Sequence, residues 1–212
     1  MKQDRLNKFS VPLGLLDYVN PVMYTITMSV ILRNIYGDLS TPYNKILLAG
    51  AIISILFGLV IPTGKVIVGL GIIQFVMPVS LVFIVNAGIL LSGSMLLKYT
   101  LNLSLIPMLA ILAVIAVLLA AAYKKSRKIN TIAVLTGAFG YLMIYFYLIL
   151  MSVKRALYLP ILLYALAILL FIMLCGIGIN ANLKNPKVHW VIEASNVLCQ
   201  TFVAVATVLL FR

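Results

Sequence analysis

Charged side chains are scarce in this chain, and acidic ones are almost absent. Only 9% of its 212 residues are Asp, Glu, Lys or Arg, and just four of these are acidic. At the same time, 64% of the residues are hydrophobic, more than a water-soluble domain of this length can bury. This composition excludes a soluble globular protein and predicts an all-α integral membrane protein, a polytopic helical bundle.

Side chains that carry out polar chemistry are also few. The chain has one His and two Cys, and it contains no complete catalytic, nucleotide-binding or metal-binding motif. The segment Pro62-Thr63-Gly64-Lys65 matches the end of a phosphate-binding loop but lacks the upstream glycine. We therefore expect no cofactor, and we favour a protein that is not an enzyme. The net charge of +12 does not point to nucleic acid, because the loops of membrane proteins carry excess Lys and Arg.

Long apolar segments separated by short polar ones predict about seven membrane-spanning helices in a single transmembrane domain, residues 1–212. A spanning helix needs roughly 20 apolar residues, so seven helices and their loops use the whole length. The predicted spans are 13–32, 46–61, 66–97, 105–122, 129–151, 157–179 and 187–211.

The third predicted span is longer than a membrane-spanning helix needs to be. Val66–Leu97 holds no charge and includes Pro78 and several glycines. As one helix it would measure about 48 Å, whereas the hydrocarbon core is about 30 Å thick. We therefore expect a kink or a break between Gly71 and Pro78, because proline removes a backbone donor from the helix.

The distribution of basic residues predicts the orientation. With seven spans and a cytoplasmic N-terminus, the inside segments hold 3 + 1 + 4 + 2 = 10 basic residues and the outside segments 2 + 1 + 2 + 1 = 6. Cytoplasmic loops carry the excess of Lys and Arg, so we expect the N-terminus inside, in the plasma membrane. The most basic loop, Lys124–Lys128, is expected to meet anionic lipid headgroups.

The last predicted span carries a stripe of polar side chains. His189, Glu193, Asn196 and Gln200 follow the spacing i, i+4, i+7, i+11, which at 100° per residue places them on one narrow face. Lipid cannot satisfy these groups, so the stripe should face other helices or a water-filled cavity.

The first predicted span has a similar stripe. Asp17, Asn20 and Tyr24 follow i, i+3, i+7, and both spans contain an acidic residue three positions before an asparagine. If both helices run from inside to outside, Asp17 and Glu193 lie at similar depth. The two stripes together predict a polar cavity between the first and last helices that binds a small cationic or polar solute, or exchanges protons.

Other interpretations remain open at the level of sequence. The stripes could be structural, with Glu193 bonded to His189 or paired with a lysine such as Lys65, and with the amides holding helices together. The protein could be a membrane subunit, sensor or immunity-type protein that acts with a protein partner or as a homo-oligomer. An intramembrane enzyme is a third possibility, with His189, Glu193 and Asp17 as metal ligands.

Overall fold

A computed structural model describes residues 10–35, 42–71, 79–126, 129–180 and 186–212, which form eight helices without any strand. The helices are α1 (Val11–Asp17), α2 (Val19–Asn34), α3 (Pro42–Gly69), α4 (Val79–Leu101), α5 (Leu105–Ser126), α6 (Ile129–Lys154), α7 (Tyr158–Asn180) and α8 (Pro186–Phe211). Because α1 and α2 together make one span, these ranges hold seven helices long and apolar enough to cross a membrane. The chain is a multi-pass integral membrane protein, as its composition predicts.

The first span is divided into α1 and α2 at Tyr18, and Pro21 explains why. A proline cannot donate to the carbonyl four residues earlier, and its ring also crowds that carbonyl. Here that carbonyl belongs to Asp17, the last residue of α1. The chain makes a tighter turn instead, in which the N–H of Tyr18 donates to the carbonyl of Leu15 at 3.3 Å. Tyr18 itself keeps a helical conformation, with φ −62° and ψ −25°, so α1 and α2 follow each other in one span and the carbonyl of Asp17 lacks the N–H that would bond to it in a regular helix.

The second span corrects the sequence prediction of a helix that ends at Ile61. Helix α3 continues through Pro62-Thr63-Gly64-Lys65 to Gly69, so these four residues are not a loop. In a bilayer a backbone that leaves the helix has no water to satisfy it, so proline and glycine interrupt a spanning helix less readily than a soluble one. The correction matters because it moves Lys65 from a loop into the bundle.

The third predicted span also needs correction, because its first residues belong to α3. Helix α3 ends at Gly69, Gly71 has a positive φ of 72°, and the next described helix begins only at Val79 and runs to Leu101. A positive φ suits glycine, which has no Cβ to clash. The expected kink between Gly71 and Pro78 falls on residues 72–78, which lie outside the described residues.

Helix α4 packs closely against α3 on one side and α6 on the other, through glycines. A Cβ on Gly50 of α3 would lie 2.8 Å from the carbonyl oxygen of Gly88, and one on Gly140 of α6 would lie 2.6 Å from the backbone nitrogen of Leu90. Small residues let helix backbones approach each other in membranes, where van der Waals packing holds helices together. These two contacts fix α4 at the centre of the bundle.

Helix α5 lies at the edge of the bundle. Met108 and Ile115 are its buried residues, whereas Ile106 and Val117 are largely exposed, as expected for a helix that faces lipid. Lys124 and Lys125 are exposed at its end. Arg127 and Lys128, the rest of the predicted headgroup-binding loop, lie outside the described residues.

Helices α6, α7 and α8 share a layer of buried polar side chains, which we call the hydroxyl–thiol layer: Tyr145, Tyr164, Cys199 and Thr207. The Tyr164 hydroxyl lies 3.1 Å from the Thr207 hydroxyl, which donates to the carbonyl of Val203. The Cys199 thiol lies 3.6 Å from the Tyr145 hydroxyl and donates to a carbonyl of α7 at 3.3 Å. Every side chain of this layer has a hydrogen-bond partner inside the protein.

Candidate functional site

A cluster of charged side chains lies inside the bundle, where α1, α2, α3 and α8 meet. It consists of Asp17, Asn20, Lys65 and Glu193, and we call it the charged cluster. The Lys65 ammonium nitrogen lies 2.7 Å from Asp17 Oδ2 and 2.6 Å from Glu193 Oε1. Asp17, Lys65 and Glu193 are only 7%, 8% and 8% exposed. A single lysine therefore bridges the two carboxylates that the sequence placed at similar depth.

Three local features of the chain bring these groups together. Asp17 and Asn20 lie one turn apart, on either side of Tyr18, where α1 passes into α2. The continuation of α3 beyond Pro62 carries Lys65 inward, near the end of that helix. Glu193 lies in the second turn of α8, on the face that packs against α1 and α2. The cluster thus depends on α3 remaining helical past Pro62.

Asn20 links the two carboxylates from the other side. Its amide nitrogen donates to Asp17 Oδ1 at 3.0 Å and to Glu193 Oε2 at 3.4 Å. Each carboxylate therefore receives one contact from an ammonium and one from a neutral amide. Charge-assisted hydrogen bonds of this kind are stronger than those between neutral groups, so the four side chains hold one another in place.

A cavity of about 190 Å³ lies beside the charged cluster and is lined by α1, α2, α3, α4, α6 and α8. For comparison, an apolar cavity of about 150 Å³ holds a benzene molecule. Its polar wall residues are Asp17, Asn20, Tyr24, Ser54, Asn86, Tyr141 and Asn196. Gly58 also lines it, and its carbonyl receives no helical hydrogen bond because the residue four positions later is Pro62. We call this space the central cavity.

Three buried polar atoms on the cavity wall lack a hydrogen-bond partner among the described residues, namely Asp17 Oδ2, Asn20 Oδ1 and the Tyr24 hydroxyl. The Lys65 ammonium lies 2.7 Å from Asp17 Oδ2 and compensates its charge, which leaves Asn20 Oδ1 and the Tyr24 hydroxyl. Tyr24 is only 5% exposed. Ser54 and Ser92 lie near it and donate their own protons to backbone carbonyls of α3 and α4, so they could only accept from Tyr24, and neither does so with hydrogen-bond geometry. A buried polar atom left unpaired costs about 1–3 kcal/mol, so these two atoms mark the part of the wall that suits a polar guest.

A second cavity, also about 190 Å³, lies between α4, α6, α7 and α8. It shares Asn86, Tyr141 and Asn196 with the central cavity. The Asn86 amide donates to the carbonyl of Ala133 at 2.8 Å, which ties α4 to α6 as an interhelical hydrogen bond. Cys175 also lines this second space, which otherwise has mostly apolar walls. The three shared polar residues therefore stand between two cavities.

The structure brings together most of the side chains that the sequence singled out. Asp17, Asn20, Tyr24 and Asn196 line the central cavity, and Glu193 joins the charged cluster beside it. The last helix packs against the first span, although the cavity walls also include α3, α4 and α6.

His189 and Gln200 lie at the two ends of the α8 stripe. Gln200 is buried and lies against Tyr141. His189 is partly exposed and is not among the residues that line the central cavity. In the part of the chain that the structure describes, no three His, Cys, Asp or Glu side chains lie close enough to hold a metal ion. The alternative in which His189, Glu193 and Asp17 bind a metal ion therefore finds no support in the described residues.

Sequence reasoning named Lys65 only as one partner that Glu193 could have, and it did not include Ser54, Asn86 or Tyr141 among the site residues. The local sequence did not indicate that Lys65 lies near Asp17, because the Pro-Thr-Gly before Lys65 is typical of a turn. The signal that could have found it is the cost of the two intramembrane acids, which requires a basic partner at the same depth.

No protein-family model matches this chain, and neither a curated protein nor a solved structure matches it. The geometry of the charged cluster and of the central cavity is therefore the basis for any functional conclusion.

Proposed function

We propose that this integral membrane protein transports a small cationic or polar solute, or protons, through the central cavity. The observation that carries the proposal is the position of the charged cluster on the wall of a cavity with unpaired polar atoms. A cluster with a purely structural role would be expected to sit in packed surroundings, with its polar atoms satisfied. Ionisable groups inside membrane spans are also typical of solute pathways and proton relays.

Two prolines beside the central cavity support the same proposal. Pro21 and Pro62 cannot donate to the carbonyls of Asp17 and Gly58, which leaves both carbonyls without their helical hydrogen bond. Transporters place substrate sites where backbone groups of a spanning helix leave the regular hydrogen-bond pattern and become available to a ligand. Asp17 and Gly58 both line the central cavity.

Flux measurements in liposomes test this proposal. Purified protein is reconstituted, and uptake of labelled methylammonium and acidification of the lumen are followed. We expect flux with the wild type and its loss in Glu193→Gln, which keeps the shape of the side chain but removes its charge. Ser152→Ala is the matched control, because Ser152 bonds only to the carbonyl of Leu148 within α6. Equal flux in liposomes with and without protein would contradict transport of these probes.

We also propose that the N-terminus is cytoplasmic and that the membrane is the plasma membrane. Because Lys65 is buried in the charged cluster, it no longer counts as a loop residue, and the balance becomes 10 − 1 = 9 basic residues inside against 6 outside. The excess of basic residues therefore stays on the side of the N-terminus, which favours a cytoplasmic N-terminus. A cysteine at Ser126, in a chain without Cys175 and Cys199, should resist an impermeant thiol reagent on intact cells, and rapid labelling would reverse the orientation.

A membrane subunit or sensor that acts with a protein partner, or with a second copy, is the second candidate. The observation that favours it is α5, whose buried residues are Met108 and Ile115, with the rest of the helix available to lipid or to another helix. Purification in a mild detergent distinguishes the candidates. A stoichiometric partner that stays bound through size-exclusion chromatography supports this second role, and a monodisperse single chain with solute flux argues against it.

A further inference from the structure

We propose that the charged cluster takes up one positive charge, either a proton or a small monovalent cation, at the Asn20 side of the central cavity. The Lys65 ammonium already balances one of the two carboxylates, so the cluster takes up only a single charge. The inference rests on the proposed function in that it names the charge that the transport site accepts, and it can be tested separately from transport.

The charges of the cluster do not balance. With all three groups ionised, the two carboxylates of Asp17 and Glu193 face the single ammonium of Lys65, which leaves one negative charge in excess. Asn20 donates to both carboxylates but is neutral, so it lowers the electrostatic energy without cancelling that charge. A net charge is costly in a buried site inside a membrane, and this cost favours the uptake of one positive charge.

The unpaired oxygens show where this charge fits. Asn20 Oδ1 is a carbonyl oxygen that only accepts hydrogen bonds, and it is buried on the cavity wall without a partner among the described residues. The Tyr24 hydroxyl, one helical turn further along α2, is a second buried oxygen without a partner among the described residues, and it can both donate and accept. A protonated carboxyl group can donate to Asn20 Oδ1, and a monovalent cation or an ammonium group can bind the same oxygen.

Other ionisable groups lie near the cluster along the chain, on the elements that carry Asp17 and Glu193. Helix α1 is followed by Tyr18, whose hydroxyl lies 2.7 Å from that of Thr63. Helix α8 contributes His189, one turn before Glu193, and Lys187 in its first turn, which is exposed. Because His189 is the ionisable side chain one turn from Glu193, its variant belongs in the test.

A set of variants changes the cluster charge in steps. Glu193→Gln and Asp17→Asn each leave one carboxylate with one ammonium, so neither variant should take up a charge. The double variant Lys65→Met/Glu193→Gln retains Asp17 alone and again has one negative charge in excess. It should recover uptake, although the bridging lysine is gone. A purely structural ion pair predicts no such recovery, because the double variant has lost both of the contacts that Lys65 makes.

The experiment is calorimetric titration of the purified full chain with NaCl, KCl or methylammonium chloride, at constant ionic strength. Repeating it in buffers of different ionisation enthalpy counts the protons exchanged. We expect one charge per wild-type chain, loss in both single variants and recovery in the double variant. Cation binding identifies the cation source. Uptake of one proton when the chain is titrated with acid in the absence of these cations identifies the proton source. Circular dichroism and size-exclusion chromatography check that each variant folds.

Three results would overturn the inference. These are uptake that persists in Glu193→Gln and in Asp17→Asn, a folded double variant that takes up no charge, and loss of uptake in His189→Gln alone. If the double variant does not fold, the two single variants still decide. One charge taken up without any liposome flux supports the inference and contradicts the transport proposal, and flux without charge uptake does the reverse.

Discussion

The charged cluster and the hydroxyl–thiol layer bury polar side chains in opposite ways. In the hydroxyl–thiol layer, each hydroxyl and the thiol have a partner, and no net charge is present. The charged cluster has an excess negative charge and lies beside a cavity with two unpaired oxygens. The first arrangement holds α6, α7 and α8 together, whereas the second leaves polar groups unsatisfied, which suits the ligand of the proposed function. The two regions differ in whether their hydrogen bonds are satisfied and not in polarity alone, and under the proposed function this difference separates structural from ligand-binding polar residues.

The strongest way to test this comparison is to remove Lys65. Lys65→Met keeps most of the side-chain volume but leaves Asp17 and Glu193 facing each other without the ammonium. Breaking a buried ion pair in this way costs about 3–5 kcal/mol, so we expect a large drop in the thermal unfolding midpoint in detergent. Lys45→Met in the same helix is the control, because Lys45 is exposed. Equal midpoints for the two variants would mean that the cluster does not contribute to stability.

The second test removes the neutral bridge of the cluster. Asn20→Ala takes one hydrogen bond from each carboxylate, and we expect it to lower the free energy of unfolding by about 1–3 kcal/mol. Ser152→Ala is the control: it removes a hydrogen bond within α6, outside the charged cluster, and should lower the free energy of unfolding by less than about 0.5 kcal/mol. Chemical unfolding monitored by circular dichroism gives both values. A larger loss in Ser152→Ala would reverse the order that the comparison predicts.

The third test uses two tyrosines, one from each region. Tyr164→Phe removes a hydroxyl that bonds to Thr207, and we expect a loss of about 0.5–1.5 kcal/mol. Tyr24→Phe removes a hydroxyl that has no partner among the described residues, so the free energy of unfolding should stay constant or rise. Thermal unfolding of the pair measures the contrast. If Tyr24→Phe is the more destabilising change, its hydroxyl contributes to structure and not to a ligand site.

The smallest expected effect is a difference in reactivity between the two cysteine thiols, and it involves no change in stability. Cys175 lines the second cavity, whereas Cys199 is fully buried in the hydroxyl–thiol layer. Since a thiol must be accessible to react, N-ethylmaleimide should modify Cys175 first, and Cys199 only after denaturation. Mass spectrometry of the intact protein follows the reaction, with Cys175→Ala as the control. Modification of Cys199 at the same rate would mean that the layer opens in the native protein.

The sequence predicted the class from its composition, and it predicted four of the seven polar residues of the cavity wall from their periodicity. The 100° spacing placed Asp17, Asn20 and Tyr24 on one face of the first span, and Glu193 and Asn196 on one face of the last. The predicted end of the second span at Ile61 was wrong because Pro62 and Gly64 are turn signals in water, whereas a bilayer keeps the backbone helical around them. Because of that error, the sequence placed Lys65 in a loop and not inside the bundle.

Close helix contacts were outside the reach of sequence reasoning for a different reason. The approach of Gly140 to Leu90 depends on which helices are neighbours, and periodicity within one helix carries no such information. Helix α5 illustrates this point, because Ala113, Ala116 and Ala120 form a small-residue face that would suit close packing, yet all three are exposed.

The pairing of Lys65 has a consequence for biosynthesis. During synthesis α1 and α2 emerge before α3, so Asp17 is already present when Lys65 must enter the bilayer, and the two can neutralise each other. Glu193 follows 128 residues after Lys65, so we expect it to join a pair that has already formed. The order of the chain would then insert a neutral pair early and add the excess charge last, when the surrounding helices are in place to receive it.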